Sequence, residues 1–320
     1  MRLMSLSLAI VLLAAAAPIQ EGEKVKIEWK FKKGESFRYE MSMKNDMDIG
    51  GMEIDQEMIM GQAFEVTDVS EDGTGTLKMT YDRIKFKMDG PMSTDFDSDK
   101  DKKGEDMFGA IFGAMVGKFL TLQLNRKGEI VKIDGMAKMM DEIVKALPEE
   151  FQGMAGMVKG QMNDDYAKSM VQMSFGFLPK DSVAKGDTWD TSSNTVVGGL
   201  GKADLKGKST LKEIQGKEAV ITQDFKLEFK ADEGGGGPMG PVEVSPTKTK
   251  GELVWLLEEG RMKSSKSSST MEFQAGGQDA TMTTKMEMKL APREKTTPTP
   301  GGGAKETPKE PPKEAPPKDK

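Results

Sequence analysis

The stretch Ser36-Phe37-Arg38-Tyr39-Glu40-Met41-Ser42-Met43-Lys44-Asn45-Asp46-Met47-Asp48-Ile49-Gly50-Gly51 decides the fold class. Phe37, Tyr39, Met41, Met43, Met47 and Ile49 fall on odd positions, while Ser36, Arg38, Glu40, Ser42, Lys44, Asp46 and Asp48 fill the even ones. Successive side chains of a strand point to opposite faces, so a period of two puts these sets on opposite sides of a sheet. Gly50-Gly51 then marks a hairpin turn.

The pattern extends both ways. Upstream, Val25, Ile27, Trp29 and Phe31 alternate with Lys24, Lys26, Glu28 and Lys30, which predicts a first strand. Downstream, Met52, Ile54, Met58, Met60, Phe64 and Val66 share the even positions, and Asp72-Gly73 turns the chain again. Leu77, Met79 and Tyr81 are odd, but Ile84, Phe86 and Met88 are even, so the phase slips and predicts a β-bulge near Asp82-Arg83. One polar and one apolar face is the mark of an antiparallel sheet covered on one side. Strands this long twist, and a twisted sheet with one apolar face curls around a filling.

Helices are the expected filling. Met136, Met139, Met140, Ile143, Val144 and Leu147 recur at helical spacing behind Asp134 as N-cap, with Pro148 as the stop. A further helix is expected from Glu149 to about Met173. The segment 107–120 is apolar nearly all round, with Gly109, Gly113 and Gly117 four residues apart. It is too short to span a bilayer and reads as a buried helix with close backbone approach.

The chain also repeats itself. Lys33-Gly34-Glu35-Ser36-Phe37 returns as Lys185-Gly186-Asp187-Thr188-Trp189, and Gly50-Gly51 as Gly198-Gly199. Ile84-Lys85-Phe86-Lys87-Met88-Asp89 returns as Leu227-Glu228-Phe229-Lys230-Ala231-Asp232, and the glycines Gly128 and Gly260 mark late hairpins in the two copies. The echoes keep one order, which divides the chain into a first β-unit at 23–134, a helical connector at 135–178 and a second β-unit at 179–290. The element Leu178-Pro179-Lys180-Asp181-Ser182-Val183-Ala184-Lys185-Gly186-Asp187-Thr188-Trp189 resembles the Leu-Pro…Gly-Asp-x-Trp element of a family of exported bacterial domains of unknown function, β-rich and Met-rich. The resemblance implies fold class and compartment; it carries no catalytic residues.

The two ends read differently from the middle. Residues 1–16 have the form of a signal peptide: Arg2, an apolar run from Leu3, and Ala14-Ala15-Ala16 as a cleavage site. That implies an exported protein, periplasmic or extracellular, with no transmembrane span after cleavage. Residues 292–320 are rich in Pro, Lys and Glu and cannot bury enough surface to offset their ordering entropy, so a disordered tail is expected there. Such a tail could act as a spacer or contact an envelope protein or the cell wall.

Composition excludes several chemistries. The chain has no His and no Cys, which removes Ser-His-Asp and Cys-His catalysis and imidazole or thiolate zinc sites. A net charge of −6 opposes non-specific nucleic-acid binding. Ser209-Thr210-Leu211-Lys212 has Ser-x-x-Lys spacing, but in a strand residues three apart face opposite ways. Asp95, Asp97, Asp99 and Asp101 alternate as hard oxygen ligands for Ca²⁺ could, although Lys100 sits where the calcium loop wants Gly, and a solvated charged loop is the plainer reading.

The 27 methionines are the unusual feature. Soft thioethers can hold Cu(I), but Met41/Met43, Met58/Met60 and Met286/Met288 coincide with the face a core needs, and methionine also fills adaptable apolar pockets. The expected fold is α+β and β-rich, with long antiparallel strands in two related units, barrel-, clam- or sandwich-like, packed on a few central helices. The expected function is non-catalytic and needs no cofactor: a cavity lined partly by Met41, Met43, Met58, Met60, Phe64, Met286 and Met288, holding a lipid-like or other apolar ligand. The alternative is a structural or interaction module of the cell envelope.

Overall fold

The computed structural model describes residues 22–91, 93–101, 106–154, 156, 168, 171–172, 174–197, 201–229, 242–275 and 277–292. The signal-like segment 1–16, the tail beyond Pro292, most of the helix expected at 149–173, Gly198-Gly199 and the stretch from Lys230 to Asp232 lie outside the described residues.

Among the described residues thirteen strands form one antiparallel sheet. They are β1 (Ser36–Ile49), β2 (Met52–Val69), β3 (Gly75–Asp89), β4 (Thr94–Asp97), β5 (Phe119–Leu124), β6 (Ile130–Asp134), β7 (Thr188–Val197), β8 (Gly201–Gln215), β9 (Glu218–Phe229), β10 (Val242–Val244), β11 (Thr247–Leu256), β12 (Arg261–Ala275) and β13 (Gln278–Leu290). Among the described residues they are joined by two helices, α1 (Met107–Met115) and α2 (Met136–Ala146), followed by a 3₁₀ turn, Glu149–Met154. The sheet is thus the expected β-rich architecture.

The order across the sheet is β6-β5-β3-β2-β1-β13-β12-β11-β9-β8-β7, with β4 beside β3 and β10 beside β12. Two meanders meet where the first strand, β1, pairs with the last, β13. Every neighbour is antiparallel, so β1, β6, β7 and β12 all run the same way. The end where these four strands begin is the lower end below.

The phase slip in the sequence is a bulge. Gly61 pairs with Arg83 and Gln62 with Tyr81, which leaves Asp82 as the extra residue. Its carboxylate reaches across β2 to Arg38 on β1, with Arg38 Nε donating to Asp82 Oδ2 at 2.6 Å. A Cβ on Gly61 would stand 2.0 Å from Asp82 Oδ1, so only glycine lets the ion pair lie over the middle strand.

The sheet curls until its two ends share one core. Ile130 of β6 belongs to the main apolar cluster, and Trp189 of β7 packs against the same cluster. The lower end is plugged by rings. Trp29 meets Trp255 edge-on at 4.9 Å and Phe175 at 5.3 Å; Phe64 stacks on Phe37 at 5.0 Å and meets Phe175 edge-on at 5.9 Å. Such pairs add about 0.5–1.5 kcal/mol each beyond their burial.

Residues 25–31 correct the first-strand expectation. Only Val25 pairs, in an isolated bridge with Val183. The rest is an extended strap across the lower end: Trp29 N donates to Arg126 O at 2.8 Å and Lys30 N to Gly260 O at 3.0 Å. It ties the β5–β6 and β11–β12 turns together and buries Ile27 and Trp29 beneath them. A paired strand and an extended plug with one buried side share the same alternation.

Helix positions also differ from the reading of sequence alone. α1 stops at Met115, Gly117 takes φ 77°, and β5 begins at Phe119, so residues 107–120 are not one helix. Asp106 caps α1, accepting from Gly109 N at 2.7 Å. For α2 the N-cap is Gly135 at φ 103°, with no side-chain cap; Asp134 stays in β6. Both helices lie against the first meander: Phe108 and Phe112 pack on Phe86 of β3, and Met136, Met139, Met140 and Ile143 enter the main cluster. No described helix is long and apolar enough to cross a membrane.

Candidate functional site

Strand register gathers the methionines into rows. Met41 on β1 lies opposite Met60 on β2 and Met288 on β13; Met43 lies opposite Met58 and Met286. Opposite Cβ atoms in such a sheet are about 4.5–5.5 Å apart, so each row is three thioether side chains in lateral contact range. Met60, Met288 and Phe64 are buried, Met41 and Met58 are partly buried against the main cluster, and Met43 and Met286 are partly buried. Phe64 stacks in the aromatic plug one row below Gln62, with Tyr39 edge-on to it at 6.0 Å.

Two apolar clusters share this concave face. The main one fills the lower end; the second, built on Leu205, Phe225, Leu227, Met271 and Phe273, lies at the upper end. Met43 and Met286 belong to neither. They sit in a belt between the clusters that sequence reading did not find.

The belt is polar. Thr284 Oγ1 donates to Asn45 Oδ1 at 2.9 Å, Asn45 Nδ2 to Gln56 Oε1 at 3.3 Å, and Gln56 Nε2 to Met88 Sδ at 3.5 Å. These residues are register partners on four neighbouring strands. In the second meander the belt continues through Ser267, Gly251, Gln223 and Ser209, again directly opposite one another. A Cβ on Gly251 would lie 3.1 Å from Gln223 Oε1, so the glycine leaves the room that the glutamine side chain takes. Among the described residues, Ser209 Oγ and Gln223 Nε2 are buried with no hydrogen-bond partner. Leaving such a group unpaired costs about 1–3 kcal/mol. The available signal was Asn45, a polar residue at an odd position of an otherwise apolar odd set.

Other groups named from the sequence have structural employment. Ser209 faces inward, while Lys212 pairs outward with Glu252 at 3.3 Å. Asp95 and Asp97 are in β4; Asp97 Oδ1 accepts from Asp99 N at 3.1 Å, and Asp99 pairs with Arg83 at 2.8 Å. Asp101 N donates to Asp97 O at 2.8 Å. Among the described residues no three acidic side chains are grouped to hold a metal ion. Tyr39 is fully buried, and desolvation pushes its phenol far above the ordinary value while its hydroxyl donates to Met262 O at 2.8 Å. Arg261 is buried against Glu35 at 2.6 Å and over the Phe37 ring at 4.8 Å, which locks the start of β12 to the start of β1.

A groove of about 860 Å³ opens where the sheet ends face each other. Lys127 and Glu129 border it from the β5–β6 turn, Thr188 to Ser192 from β7, and Leu178 to Asp181 from the connector. Lys127 Nζ donates to Pro179 O at 3.0 Å, and Trp189 Nε1 to Phe177 O at 3.0 Å. Gly128 makes the close approach possible: its φ is 81°, and a Cβ there would meet Phe175 O at 1.8 Å. The Leu-Pro…Gly-Asp-x-Trp element is therefore the wall of this groove.

The family model for DUF6263, a family of unknown function, matches residues 72–251, more than half of the chain. The chain belongs to DUF6263. The DUF6263 range runs from the turn before β3 into β11, so it contains the groove and the whole connector. It leaves out β12 and the three strands that carry the methionine rows, β1, β2 and β13. No curated protein matches the chain.

Proposed function

We propose that this DUF6263 protein is an exported, non-catalytic binder of a lipid-like ligand, held on the concave belt between the two apolar clusters. The observation that carries this reading is the belt itself. Met43 and Met286 are only partly buried on an inward face and belong to neither cluster. Methionine has three rotatable bonds and a polarizable sulfur, which suits an apolar chain of variable shape. Along the same belt Ser209 Oγ and Gln223 Nε2 are buried without partners among the described residues, and a ligand's polar end would satisfy them. Apolar rows beside polar groups match an amphiphile better than a pure hydrocarbon. The signal-like residues 1–16 support export, to the periplasm or the extracellular side.

Mass spectrometry of the protein purified without detergent tests this. A bound amphiphile at one per chain is expected, lost in the Met43→Lys/Met286→Lys double variant. Protein that carries no amphiphile, and takes up none when mixed with lauric acid or a lysophospholipid, would sink the reading.

A further inference from the structure

We infer that copies of this chain associate head to tail, the lysine row on the outer face of one seated on the aspartate row of the next. This inference does not rest on the ligand reading above.

The register of the sheet sorts charge on its outer face into two triplets. Lys206, Lys226 and Lys248 lie directly opposite one another on β8, β9 and β11. Asp46, Asp55 and Asp89 do the same on β1, β2 and β3. Thr270 of β12 and Thr283 of β13 join the triplets into a single row across the outer face. All six charged residues are exposed.

Like charges directly opposite on neighbouring strands are destabilising. Each triplet holds two such contacts, and exchanging its middle member with that of the other would relieve both. Lys248, Asp46 and Asp55 have no ion-pair partner among the described residues. Lys206 and Lys226 reach only along their own strands, to Asp204 at 3.5 Å and Glu228 at 2.6 Å, and Asp89 reaches Lys87 in the same way. Exposed pairs of this kind contribute little and exchange readily.

A second copy is the occupant that fits both triplets at once. They have the same length and the same strand spacing, about 4.8 Å, so three ammonium groups can meet three carboxylates one for one. Whichever way the copies are turned, the middle members Lys226 and Asp55 face each other. The neighbouring outward rows set the direction. Toward the upper end Asp204 and Glu228 flank the lysines, and toward the lower end Lys208 and Lys250 do. Asp48 and Glu53 flank the aspartates on the upper side, Lys44 and Lys87 on the lower. When facing strands point opposite ways, each acidic flank meets a basic one. Asp224 and Glu57 sit within the basic flanks, each with a lysine directly opposite on either side. The contact joins different patches of the two copies, so it is heterologous and repeats from copy to copy.

Sedimentation velocity of the purified protein tests this. At about 20 mM NaCl the weight-average sedimentation coefficient should climb with concentration from the micromolar to the millimolar range, and at about 500 mM it should stay at the monomer value, because screening shortens from roughly 20 Å to roughly 4 Å. Lys226→Glu and Asp55→Lys should each weaken association at least tenfold. Each reversal sets opposite charges side by side within its own triplet, so both variants should fold. Lys226→Gln and Asp55→Asn serve if one does not. An equal mixture of the Lys226→Glu and Asp55→Lys chains should associate again, since one junction is then native and the other is reversed on both sides. Both variants keep a net negative charge, so bulk attraction between the chains does not supply that recovery. A monomer throughout at low salt, association unmoved by either reversal, or a mixture no tighter than its components would each overturn the proposal.

Discussion

The lower end of the concave face and the belt above it use the same strands in opposite ways. At the lower end every inward position is committed. Rings from the strap, the connector and three strands interlock, and a buried ion pair, Glu35–Arg261, fastens β1 to β12. One row higher the inward positions are methionine, serine, threonine, asparagine, glutamine and glycine, partly exposed and, among the described residues, partly without partners. Stability is thus concentrated where the sheet's ends must be held together, and the region free to accommodate something else lies beside it. Residues that specify the fold and residues that could serve function are separated along each strand.

Substitutions should reproduce that division. Trp29→Ala, which empties the centre of the plug, should cost about 3–5 kcal/mol in urea-unfolding experiments. Arg261→Met removes the cation from the part-buried Glu35 carboxylate and should cost about 3 kcal/mol. In the belt, Asn45→Val breaks two hydrogen bonds and strands Gln56 and Thr284; a loss of about 1–3 kcal/mol is expected. Met43→Leu conserves volume and should change stability by less than about 1.5 kcal/mol, while altering amphiphile uptake. If Met43→Leu proved as damaging as Trp29→Ala, the belt would be ordinary core.

Acid should bring the smallest effect, and it follows from depressed carboxylates. The Glu57 carboxyl is lowered by its hydrogen bond to Lys44, Asp68 by Lys33, Asp72 by the Ser70 hydroxyl and Thr74 amide, and Glu228 by Lys226. A group whose folded value is depressed contributes stability above its unfolded value and loses it as pH falls through the folded one. With no His in the chain, unfolding midpoints should be flat from about pH 6 to 8 and decline only below about pH 4. A midpoint that moved within the flat window would reveal a buried titrating group outside this description.

The fold was legible where one face was apolar and the other charged. β1, β2 and β3, the bulge at Asp82 and the turns at Gly50-Gly51, Gly73, Gly128 and Gly260 all follow from alternation and glycine placement. β12 was not legible: Ser264 to Thr270 has no apolar phase, and its neighbours β11 and β13 impose the strand. The strap was misread because burial on one side looks the same with or without a hydrogen-bonded partner. The methionine rows were visible strand by strand, but their alignment depends on register, which the Gln56–Asn45–Thr284 bridge helps to set. That β6 and β7 end the sheet among the described residues depends on strand order, which no local pattern encodes.

Methyl NMR of methionine-labelled protein, titrated with lauric acid, probes the division most directly. Resonances of Met43, Met58 and Met286 should shift and saturate together, while Met79, Met139 and Met140, buried in the main cluster, stay fixed. Uniform shifts across all of them, or none at Met43 and Met286, would contradict a ligand-ready belt beside a closed plug.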